Sequence, residues 1–431
     1  MTKDIRKNIL YFDNCNTKEL AEEYGTPLYI MSQTEIESRM KEIRDCFLSK
    51  YPNTRAAYAS KAFCTTAMYK ICEKEGFCID IVSGGELYTA IKAGFPAERI
   101  EFNGNNKLPG EIEEALDYGI GRFIVDGLQE VELIEAICEE KGKTANVLFR
   151  VTPGVAASTH DYITTGKKDS KFGIPLDEDV FYPQVEAAIK AGHINFLGLH
   201  FHVGSQLFDN LPYLQALDII LDKVSEIKKR FGYDVKELNL GGGFGAVYID
   251  EERMPYDYFL APLMQRIEEF SEELGIERPA VVIEPGRSIV AEAGISLYTI
   301  GSIKDIKDLR KYVAVDGGMG DNIRPALYQA EYEGIVANKA NEPKDDKVTI
   351  CGKCCESGDI LMKDCMITKS AKAGDILAMF STGAYGFSMA SNYNGNPIPA
   401  VVLVKDGKSE LMVKRQSYED MVARHLIPSW L

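Results

Sequence analysis

Between Arg55 and Glu284 the sequence alternates short apolar runs with longer amphipathic stretches, and this alternation constrains the fold more than any other feature. The short runs are rich in β-branched and aromatic residues, which predicts strands, and the stretches between them carry apolar residues at helical spacing, as in Phe259, Leu263 and Ile267. The predicted strands lie at 55–60, 78–82, 98–103, 121–126, 145–151, 196–203, 237–240 and 280–284. Strand–helix alternation implies a parallel sheet, and eight such units close into a TIM-like α/β barrel. An open doubly wound sheet is the competing architecture, but no Gly-x-Gly-x-x-Gly follows the first strand.

Beyond Arg287 the pattern changes to strand-like runs with turn residues between them and little helix. We therefore predict a second, all-β domain, similar to a β-sandwich or β-barrel, that the N-terminal segment completes. The predicted bounds are 33–285 for the barrel and 1–32 with 286–431 for the β domain. A long polar loop at 154–173 follows the fifth strand, and loops of that length on a barrel are usually functional or mobile.

Composition and charge exclude several classes of protein. The chain of 431 residues has a net charge of −16 and no basic stripe, which argues against a nucleic-acid partner. Met1 to Leu10 is too polar for a signal peptide, and no apolar stretch approaches the roughly 18 residues of a membrane helix. The ten cysteines are scattered, which predicts reduced thiols. We expect a cytoplasmic protein without a membrane partner.

Unusual polar residues follow the predicted strands, where a barrel of this kind carries its active site. They are Lys61 after the first strand, Asp80 and Ser83 at the second, Asn103 at the third, Arg150 at the fifth, His200 and His202 at the sixth, the glycine run 241–245 after the seventh, and Glu284 to Arg287 at the eighth. A lysine at a strand end can act as a Schiff-base amine. We expect partial burial of Lys61 to lower its pKa and so favour the nucleophilic form.

The glycine run and Glu284 suggest binding of an anion and of a cation. Backbone N–H groups of glycines can approach a phosphate closely, and the Ser205 hydroxyl could bind the same phosphate. Glu284 ends an apolar run, so a buried carboxylate there needs a partner. That partner is either a protonated pyridine nitrogen or Arg287 in an ion pair.

The histidines and cysteines leave further alternatives. His200 and His202 share a face of a strand, which would suit a metal, but no third ligand is evident and an imidazole stacked on a planar cofactor fits better. Cys351, Cys354 and Cys355 lack the second half of a zinc site, and a cysteine beside a carboxylate can instead donate a proton. Further candidates in the same region are Arg324, Tyr328 and Tyr385.

In combination and in this order, these motifs resemble the barrel-type pyridoxal-phosphate decarboxylases, and most closely the diaminopimelate decarboxylase family. The resemblance extends from Gly25-Thr-Pro-Leu28 to Gly383-Ala-Tyr-Gly386. Its most specific motifs are Thr165-Gly-Lys-Lys-Asp-Ser-Lys-Phe-Gly173, His200-Phe-His-Val-Gly-Ser-Gln206, Glu284-Pro-Gly-Arg287 and Cys355-Glu-Ser-Gly-Asp359. Lys353 and Cys354 stand where this family more often has proline and an aliphatic residue.

The resemblance implies an alanine-racemase type of barrel, pyridoxal 5'-phosphate as cofactor, and decarboxylation of meso-2,6-diaminopimelate to L-lysine and carbon dioxide. It implies that Lys61 forms the Schiff base, His202 stacks on the ring, Glu284 pairs with the ring nitrogen and Cys355 donates a proton in the active site of a partner subunit, within a homodimer. The other implied cofactor contacts are Asp80, Ser205, Gly242, Gly243, Gly286, Arg287 and Tyr385. The implied substrate contacts are Arg287, Arg324, Tyr328, Glu356 and Tyr385, and Arg287 fits both groups.

Rival functions remain on the same fold. The nearest are decarboxylases of ornithine, arginine or a carboxylated polyamine such as carboxynorspermidine, whose substrates lack the distal amino-acid carboxylate that Arg324 would bind. A racemase is less favoured because Glu284 opposite the ring nitrogen makes a strong electron sink. A catalytically silent regulatory homologue is a remote alternative, against which the joint presence of Lys61, Glu284 and Cys355 counts.

Overall fold

The structure is a computed structural model that describes residues 2–155 and 170–431. Most of the predicted polar loop at 154–173 therefore lies outside the described residues, as does the first part of the motif that begins at Thr165. The chain divides into two compact units, which we call the barrel unit and the β unit. The barrel unit comprises Arg39–Gly245 and Glu252–Ser288, and the β unit comprises Met1–Ser38, Ala246–Glu251 and Ile289–Leu431.

The N-terminal segment forms a small antiparallel sheet and one strand of a larger sheet. Its elements are β1 (Lys3–Arg6), β2 (Ile9–Phe12), β3 (Cys15–Asn16), α1 (Thr17–Tyr24), β4 (Leu28–Ser32) and α2 (Gln33–Ile43). Lys7 and Asn8 between β1 and β2 both have positive φ angles, of 49° and 69°. Two consecutive residues of this kind form a tight hairpin turn whose twist matches that of the flanking strands.

The barrel unit alternates strands and helices. Its strands are β5 (Thr54–Ala59), β6 (Cys78–Ile81), β7 (Ile100–Phe102), β8 (Arg122–Val125), β9 (Ala145–Thr152), β10 (Ile174–Pro175), β11 (Ile194–Phe201), β12 (Glu237–Asn239) and β13 (Ala280–Ile283). Its helices are α3 (Thr66–Lys74), α4 (Gly84–Ala93), α5 (Pro109–Tyr118), α6 (Leu128–Lys141), α7 (Glu178–Lys190), α8 (Leu211–Phe231), α9 (Tyr256–Leu274) and the start of α10 (Arg287–Val290). The side chains of Thr65 and Ser83 accept backbone N–H groups at the starts of α3 and α4, which fixes where these helices begin.

Eight of these strands close into a parallel barrel, which confirms the predicted fold. The order of pairing is β8, β9, β11, β12, β13, β5, β6 and β7, and β7 pairs again with β8. Each predicted strand matches an observed one to within two residues at either end. The short β10, which pairs with β9, was not predicted. The strands are buried along most of their length because helices cover the outer face and side chains fill the interior.

The β unit continues after α10 with strands and few helices. Its strands are β14 (Gly294–Ile306), β15 (Arg310–Val315), β16 (Gly334–Val336), β17 (Asp346–Cys351), β18 (Ile360–Ile367), β19 (Ile376–Met379), β20 (Ala400–Lys405) and β21 (Lys408–Val413). Its short helices are α11 (Arg324–Tyr328) and α12 (Tyr418–Val422). Strand β4 lies between β14 and β20 in the large sheet, antiparallel to the first and parallel to the second. The N-terminal segment therefore completes the β-sheet of this unit, as predicted.

The core of the β unit includes an apolar cluster to which β4, β14 and β20 contribute. Ile30 of β4 packs in one cluster with Ile295, Leu297 and Val402, all of them buried.

Of the helices described, none is long and apolar enough to cross a membrane.

Candidate active site

Lys61 lies just beyond the carboxyl end of the first barrel strand. Strand β5 ends at Ala59, and Lys61 occupies the single 3-10 turn Ser60–Ala62 that follows. The side chain is exposed, so the partial burial that we expected is wrong. The charge of its ammonium acts on the carboxyls of Asp80, Glu86 and Glu284. The amine therefore stands at the end of the barrel where the carboxyl ends of the strands meet.

Glu284, just after β13, is buried and held by three side chains. The Nδ2 atoms of Asn103 and Asn239 donate to its Oε1, at 3.1 and 2.9 Å. The Nε2 atom of His200 lies 3.0 Å from Oε1 and 3.1 Å from Oε2. Burial alone raises the pKa of Glu284, but the charge and hydrogen bond of His200 outweigh it, with Lys61 adding, and lower the pKa to about 2. The Arg287 guanidinium, which we considered as the alternative partner of Glu284, donates a hydrogen bond to the Ser205 hydroxyl.

Each of the two amides that hold Glu284 also donates to a second carboxyl group. The Nδ2 atom of Asn103 also donates to Asp80 at 2.7 Å, and that of Asn239 also donates to Glu101 at 3.1 Å. Burial raises the pKa of Asp80 well above its ordinary value, and the charge of Glu284 raises it further. Burial likewise raises the pKa of Glu101 well above its ordinary value, although Arg122 opposes the shift. Like charges this close disfavour one another, so Glu284 carries the negative charge of the group.

The two histidines of the sixth strand have different surroundings. His200 is fully buried within β11 and faces Glu284, whereas His202 lies one residue beyond the end of that strand and is half-buried. The Nδ1 atom of His202 accepts the N–H of Gly242 at 3.3 Å. Burial lowers the pKa of His202 well below its ordinary value, and Lys61 and Arg150 add to this.

A neutral imidazole that accepts at Nδ1 carries its hydrogen on Nε2. His202 thus presents an uncharged ring, which is suited to stacking on a planar group. In the part of the chain that the structure describes, no cluster of three or more potential ligands suits a metal ion.

The glycine run forms a tight turn against the neighbouring strand ends. Gly241 has φ +69°, and a Cβ there would lie 2.4 Å from the carbonyl oxygen of Phe201. A Cβ at Gly242 would lie 2.1 Å from the carbonyl oxygen of Glu284, and one at Gly243, 2.2 Å from that of Gly204. No side chain fits at these positions, so the turn needs glycine for space as well as for backbone angle.

An anion could bind beside this turn. Arg287, with 9% of its surface exposed, donates from Nη2 to the Ser205 hydroxyl at 3.1 Å. Gly286 packs against Ala59, because a Cβ at position 286 would lie 2.9 Å from the Ala59 Cβ. A guanidinium, a hydroxyl and a glycine turn provide the donors that a phosphate group requires.

Arg324 of the β unit is a buried cation surrounded by tyrosines. Its guanidinium carbon lies 5.0, 5.7 and 6.0 Å from the ring centroids of Tyr248, Tyr332 and Tyr385. Its Nη1 also donates to the Tyr332 hydroxyl. Only 7% of Arg324 is exposed, and among the described residues no carboxylate forms an ion pair with it. Since a buried cation requires a counter-charge, Arg324 could bind an anionic ligand.

Cys354 and Cys355 lie on a loop whose shape Asp359 fixes. Asp359 is buried and accepts the N–H groups of Met319 and Cys354, at 2.6 and 2.8 Å. Burial, with the charge of Asp359 adding, raises the pKa of the Cys354 thiol to about 11. Cys355 is exposed, and its N–H donates to Asn394 Oδ1 at 2.7 Å. Of the two thiols, that of Cys355 is the more accessible.

The remaining predicted residues of the β unit occupy different positions. Tyr328 ends α11 and is half-buried. Glu356 is exposed beside Cys355, and its Oε1 accepts the N–H of Gly358 at 3.2 Å. Tyr385 is half-buried and has a φ of 58°, an uncommon conformation for a residue other than glycine. Within this unit Tyr385 thus lies with Arg324, whereas Cys355 and Glu356 lie on a loop of their own.

The set that we predicted from the sequence omits several residues of these clusters. Glu101 lies in the middle of β7 and Asn239 ends β12, and Tyr248 and Tyr332 border Arg324. The available signal was a polar residue between two apolar ones for Glu101 and a polar residue at the end of a predicted strand for Asn239, because a buried polar group needs a partner. The tyrosines carried no comparable signal, since their spacing from Arg324 in the sequence is irregular.

The chain is similar in sequence to known proteins along most of its length. Residues 20–291 match the family described as "Pyridoxal-dependent decarboxylase, pyridoxal binding domain". The chain is 49% identical over 404 residues to a diaminopimelate decarboxylase of Bacillus subtilis, covering 94% of this chain and 92% of that protein. It is 48% identical over 416 residues to one of Bacillus methanolicus, covering 96% of each.

A solved structure extends the likeness to the whole fold. The crystal structure of a diaminopimelate decarboxylase from M. jannaschii, in co-complex with L-lysine, matches with a TM-score of 0.93 and 35% identity over 100% of this chain and 99% of that one. Sequence and fold agree along nearly the entire chain, and the chain therefore belongs to the diaminopimelate decarboxylase family of pyridoxal-dependent decarboxylases.

Proposed function

We propose that this protein decarboxylates meso-2,6-diaminopimelate to L-lysine and carbon dioxide with pyridoxal 5'-phosphate as cofactor, as a cytoplasmic homodimer. The observation that carries the proposal is the buried Glu284 carboxyl group, which two amides and a histidine hold at the same end of the barrel as Lys61. A fixed negative charge opposite a ring nitrogen keeps that nitrogen protonated. The names of the relatives supply the substrate.

The barrel unit has groups that fit each part of this cofactor. Lys61 would hold it covalently through the side-chain amine, and Glu284 would accept from the ring nitrogen. The uncharged ring of His202 would stack on the face of the cofactor ring. Asp80 is joined through Asn103 to Glu284, the residue that would bind the ring nitrogen. The groups of this unit that would surround the phosphate are Ser205, Gly242, Gly243, Gly286 and Arg287.

The step that the protein's own side chains must supply is a proton transfer to the substrate. When bound, pyridoxal phosphate withdraws electrons from the substrate α-carbon, which allows the α-carboxylate to leave as carbon dioxide. A proton must then replace the lost carboxylate on that carbon. Cys355 would donate it from its exposed thiol, in the active site of the partner subunit. Because the Cys354 thiol is partly buried and has a pKa of about 11, we assign the proton to Cys355.

Substrate choice depends on the end of the molecule that does not react. In meso-diaminopimelate this end carries both an ammonium and a carboxylate. Arg324, buried and without a carboxylate partner among the described residues, would bind the carboxylate. Glu356 would bind the ammonium, and Tyr328 and Tyr385 would border the site. Arg287 fits either the phosphate or the substrate.

The burial of Arg324 without a carboxylate partner among the described residues separates this function from its rivals. Ornithine, arginine and carboxynorspermidine lack a distal amino-acid carboxylate, so Arg324 would remain buried without a counter-ion in their complexes. Such a buried charge costs several kcal/mol, which disfavours these substrates.

Two measurements test the proposal. Purified protein loaded with pyridoxal phosphate is expected to absorb visible light, and borohydride is expected to trap the cofactor on Lys61, with Lys61→Ala as the control that is not labelled. Carbon dioxide release is then compared for meso-diaminopimelate, ornithine, arginine and carboxynorspermidine. Faster turnover of any of the last three would overturn the substrate, and a protein that cannot be loaded would overturn the cofactor.

A further inference from the structure

We propose that Asn239 is a positioning residue that fixes the Glu284 carboxylate to the glycine turn. It would thereby keep the negative charge at the cofactor's ring nitrogen close to the backbone groups at the cofactor's phosphate. This role rests on the proposed function, because it concerns the same cofactor site. It concerns a residue that contacts neither cofactor nor substrate in that proposal. Asn239 acts through Glu284 and Gly241.

The side chain of Asn239 is fully buried, and every one of its polar functions is used. Its Oδ1 accepts the N–H of Gly241 at 2.9 Å. Its Nδ2 donates to Glu284 at 2.9 Å and to Glu101 at 3.1 Å. An amide nitrogen has two hydrogens, so one goes to each carboxyl. One rigid side chain therefore spans the turn and two carboxyls.

Backbone contacts make the connection between Glu284 and the turn tight. The N–H of Glu284 donates to the carbonyl oxygen of Gly241 at 2.8 Å. The Gly242 backbone lies so close to the Glu284 carbonyl that a Cβ would not fit. With the Asn239 side chain bridging the same two residues, neither can move without breaking a buried hydrogen bond.

Asn103 provides the second amide and shows why Asn239 has the larger role. Its Nδ2 joins Glu284 to Asp80, as that of Asn239 joins Glu284 to Glu101. Its Oδ1, however, has no hydrogen-bond partner among the described residues and so ties Glu284 to no backbone turn. Of these two amides, that of Asn239 alone connects the carboxylate to the glycine turn.

The test uses the loaded enzyme and a readout that does not depend on turnover. Pyridoxal phosphate labelled with ¹⁵N at the ring nitrogen is bound to wild type and to Asn239→Leu, which keeps the volume of the side chain but removes its hydrogen bonds. At neutral pH the ¹⁵N chemical shift of the variant is expected to move toward the unprotonated value. We also expect kcat per bound cofactor to fall about tenfold to a hundredfold, as for loss of a hydrogen bond to a charged group, with a much smaller change in KM.

Two further variants keep the test decisive. Asn239→Ala is interpreted in the same way should the leucine variant not fold. Asn146→Leu is the matched control, because Asn146 lies at the amino end of β9 and its amide donates to the Gly121 carbonyl at 2.8 Å. The control is expected to keep the wild-type chemical shift.

The outcomes separate this role from the proposed function. Variants at Asn239 that melt at a lower temperature but keep the wild-type shift and kcat would show a purely structural residue and overturn the inference. An equal shift in Asn146→Leu would overturn it as well, since any asparagine of the barrel would then have the same effect. A wild-type chain that binds no pyridoxal phosphate would overturn the proposed function, and this role with it.

Discussion

At the scale of single residues, the chemistry of the barrel depends on which carboxyl keeps its charge. The pKa of Glu284 is lowered from 4.5 to about 2, so its carboxylate is ionised at every pH above about 4. We expect Glu284→Gln to lower kcat about 10²- to 10³-fold, because a neutral amide cannot maintain a positive charge on a ring nitrogen. Steady-state rates for meso-diaminopimelate measure the effect, with Glu113→Gln on the exposed face of α5 as control. Wild-type kcat in the first variant would contradict the assignment.

The same pKa predicts how stability depends on pH. A carboxylate whose pKa is lowered in the folded state stabilises that state above its ordinary pKa, and this stabilisation is lost as the pH falls toward the folded value. Glu284 therefore contributes to the acid sensitivity of the fold between about pH 4.5 and about pH 2. Thermal unfolding at pH 7 and pH 3 should differ less in Glu284→Gln than in wild type. An equal difference would mean that other groups determine acid unfolding.

Tyr332 is a residue through which we expect substrate binding to be weakened without a change in the chemical step. Its hydroxyl accepts a hydrogen bond from Arg324, and burial raises its pKa to about 12, so it remains neutral while the guanidinium is charged. Tyr332→Phe removes this contact but keeps the ring over the guanidinium. We expect KM for meso-diaminopimelate to rise about tenfold with kcat little changed, since the substrate carboxylate would meet a less fixed cation.

The comparison for this prediction is Tyr312→Phe, a half-buried tyrosine of β15. It should leave KM unchanged. A fall in kcat without a rise in KM in Tyr332→Phe would place the Tyr332 hydroxyl in the chemical step and contradict a role through Arg324.

At the scale of elements, the loop from Gly352 to Asp359 gives two adjacent thiols different surroundings. The Asp359 carboxylate accepts the backbone N–H of Cys354. Only glycine fits at position 352, because a Cβ there would lie 2.2 Å from the same carboxylate. We expect Cys355→Ala to lower kcat by about 10²-fold or more and Cys354→Ala to leave it within about threefold, as for loss of a general acid against loss of a neighbouring side chain. A larger loss in Cys354→Ala would reverse the assignment of the proton donor.

The elements also show how far the sequence could predict the site. The barrel strands could be recognised because most of them are largely apolar and alternate with amphipathic helices, and residues that follow a strand, such as Lys61 and Glu284, are placed by the fold itself. Asn239 and Glu101 could not be assigned, because which buried polar side chains meet inside a barrel depends on the register of non-adjacent strands. Tyr248 comes from 246–251, a short segment of the β unit between two stretches of the barrel unit, and no local pattern marks such an exchange.

At the scale of the whole molecule, the predicted residues divide between the two units. Lys61, Glu284 and Arg287 belong to the barrel unit, whereas Arg324 and Cys355 belong to the β unit. If Cys355 serves the active site of a partner subunit, each site of a homodimer needs both chains. Two inactive variants with lesions in different units then become complementary.

We therefore expect mixed Lys61→Ala and Cys355→Ala chains to recover activity through hybrid dimers. One of the two sites in such a dimer carries both lesions, and the other combines an intact Lys61 with an intact Cys355 from its partner. With random exchange about half of the dimers are hybrids, each with one intact site, so about a quarter of the wild-type activity should return. Differently tagged chains establish that hybrids form, and a Lys61→Ala/Cys355→Ala double variant mixed with Lys61→Ala is the control that should stay inactive. Hybrids that form without recovering activity would show that Cys355 acts within its own chain.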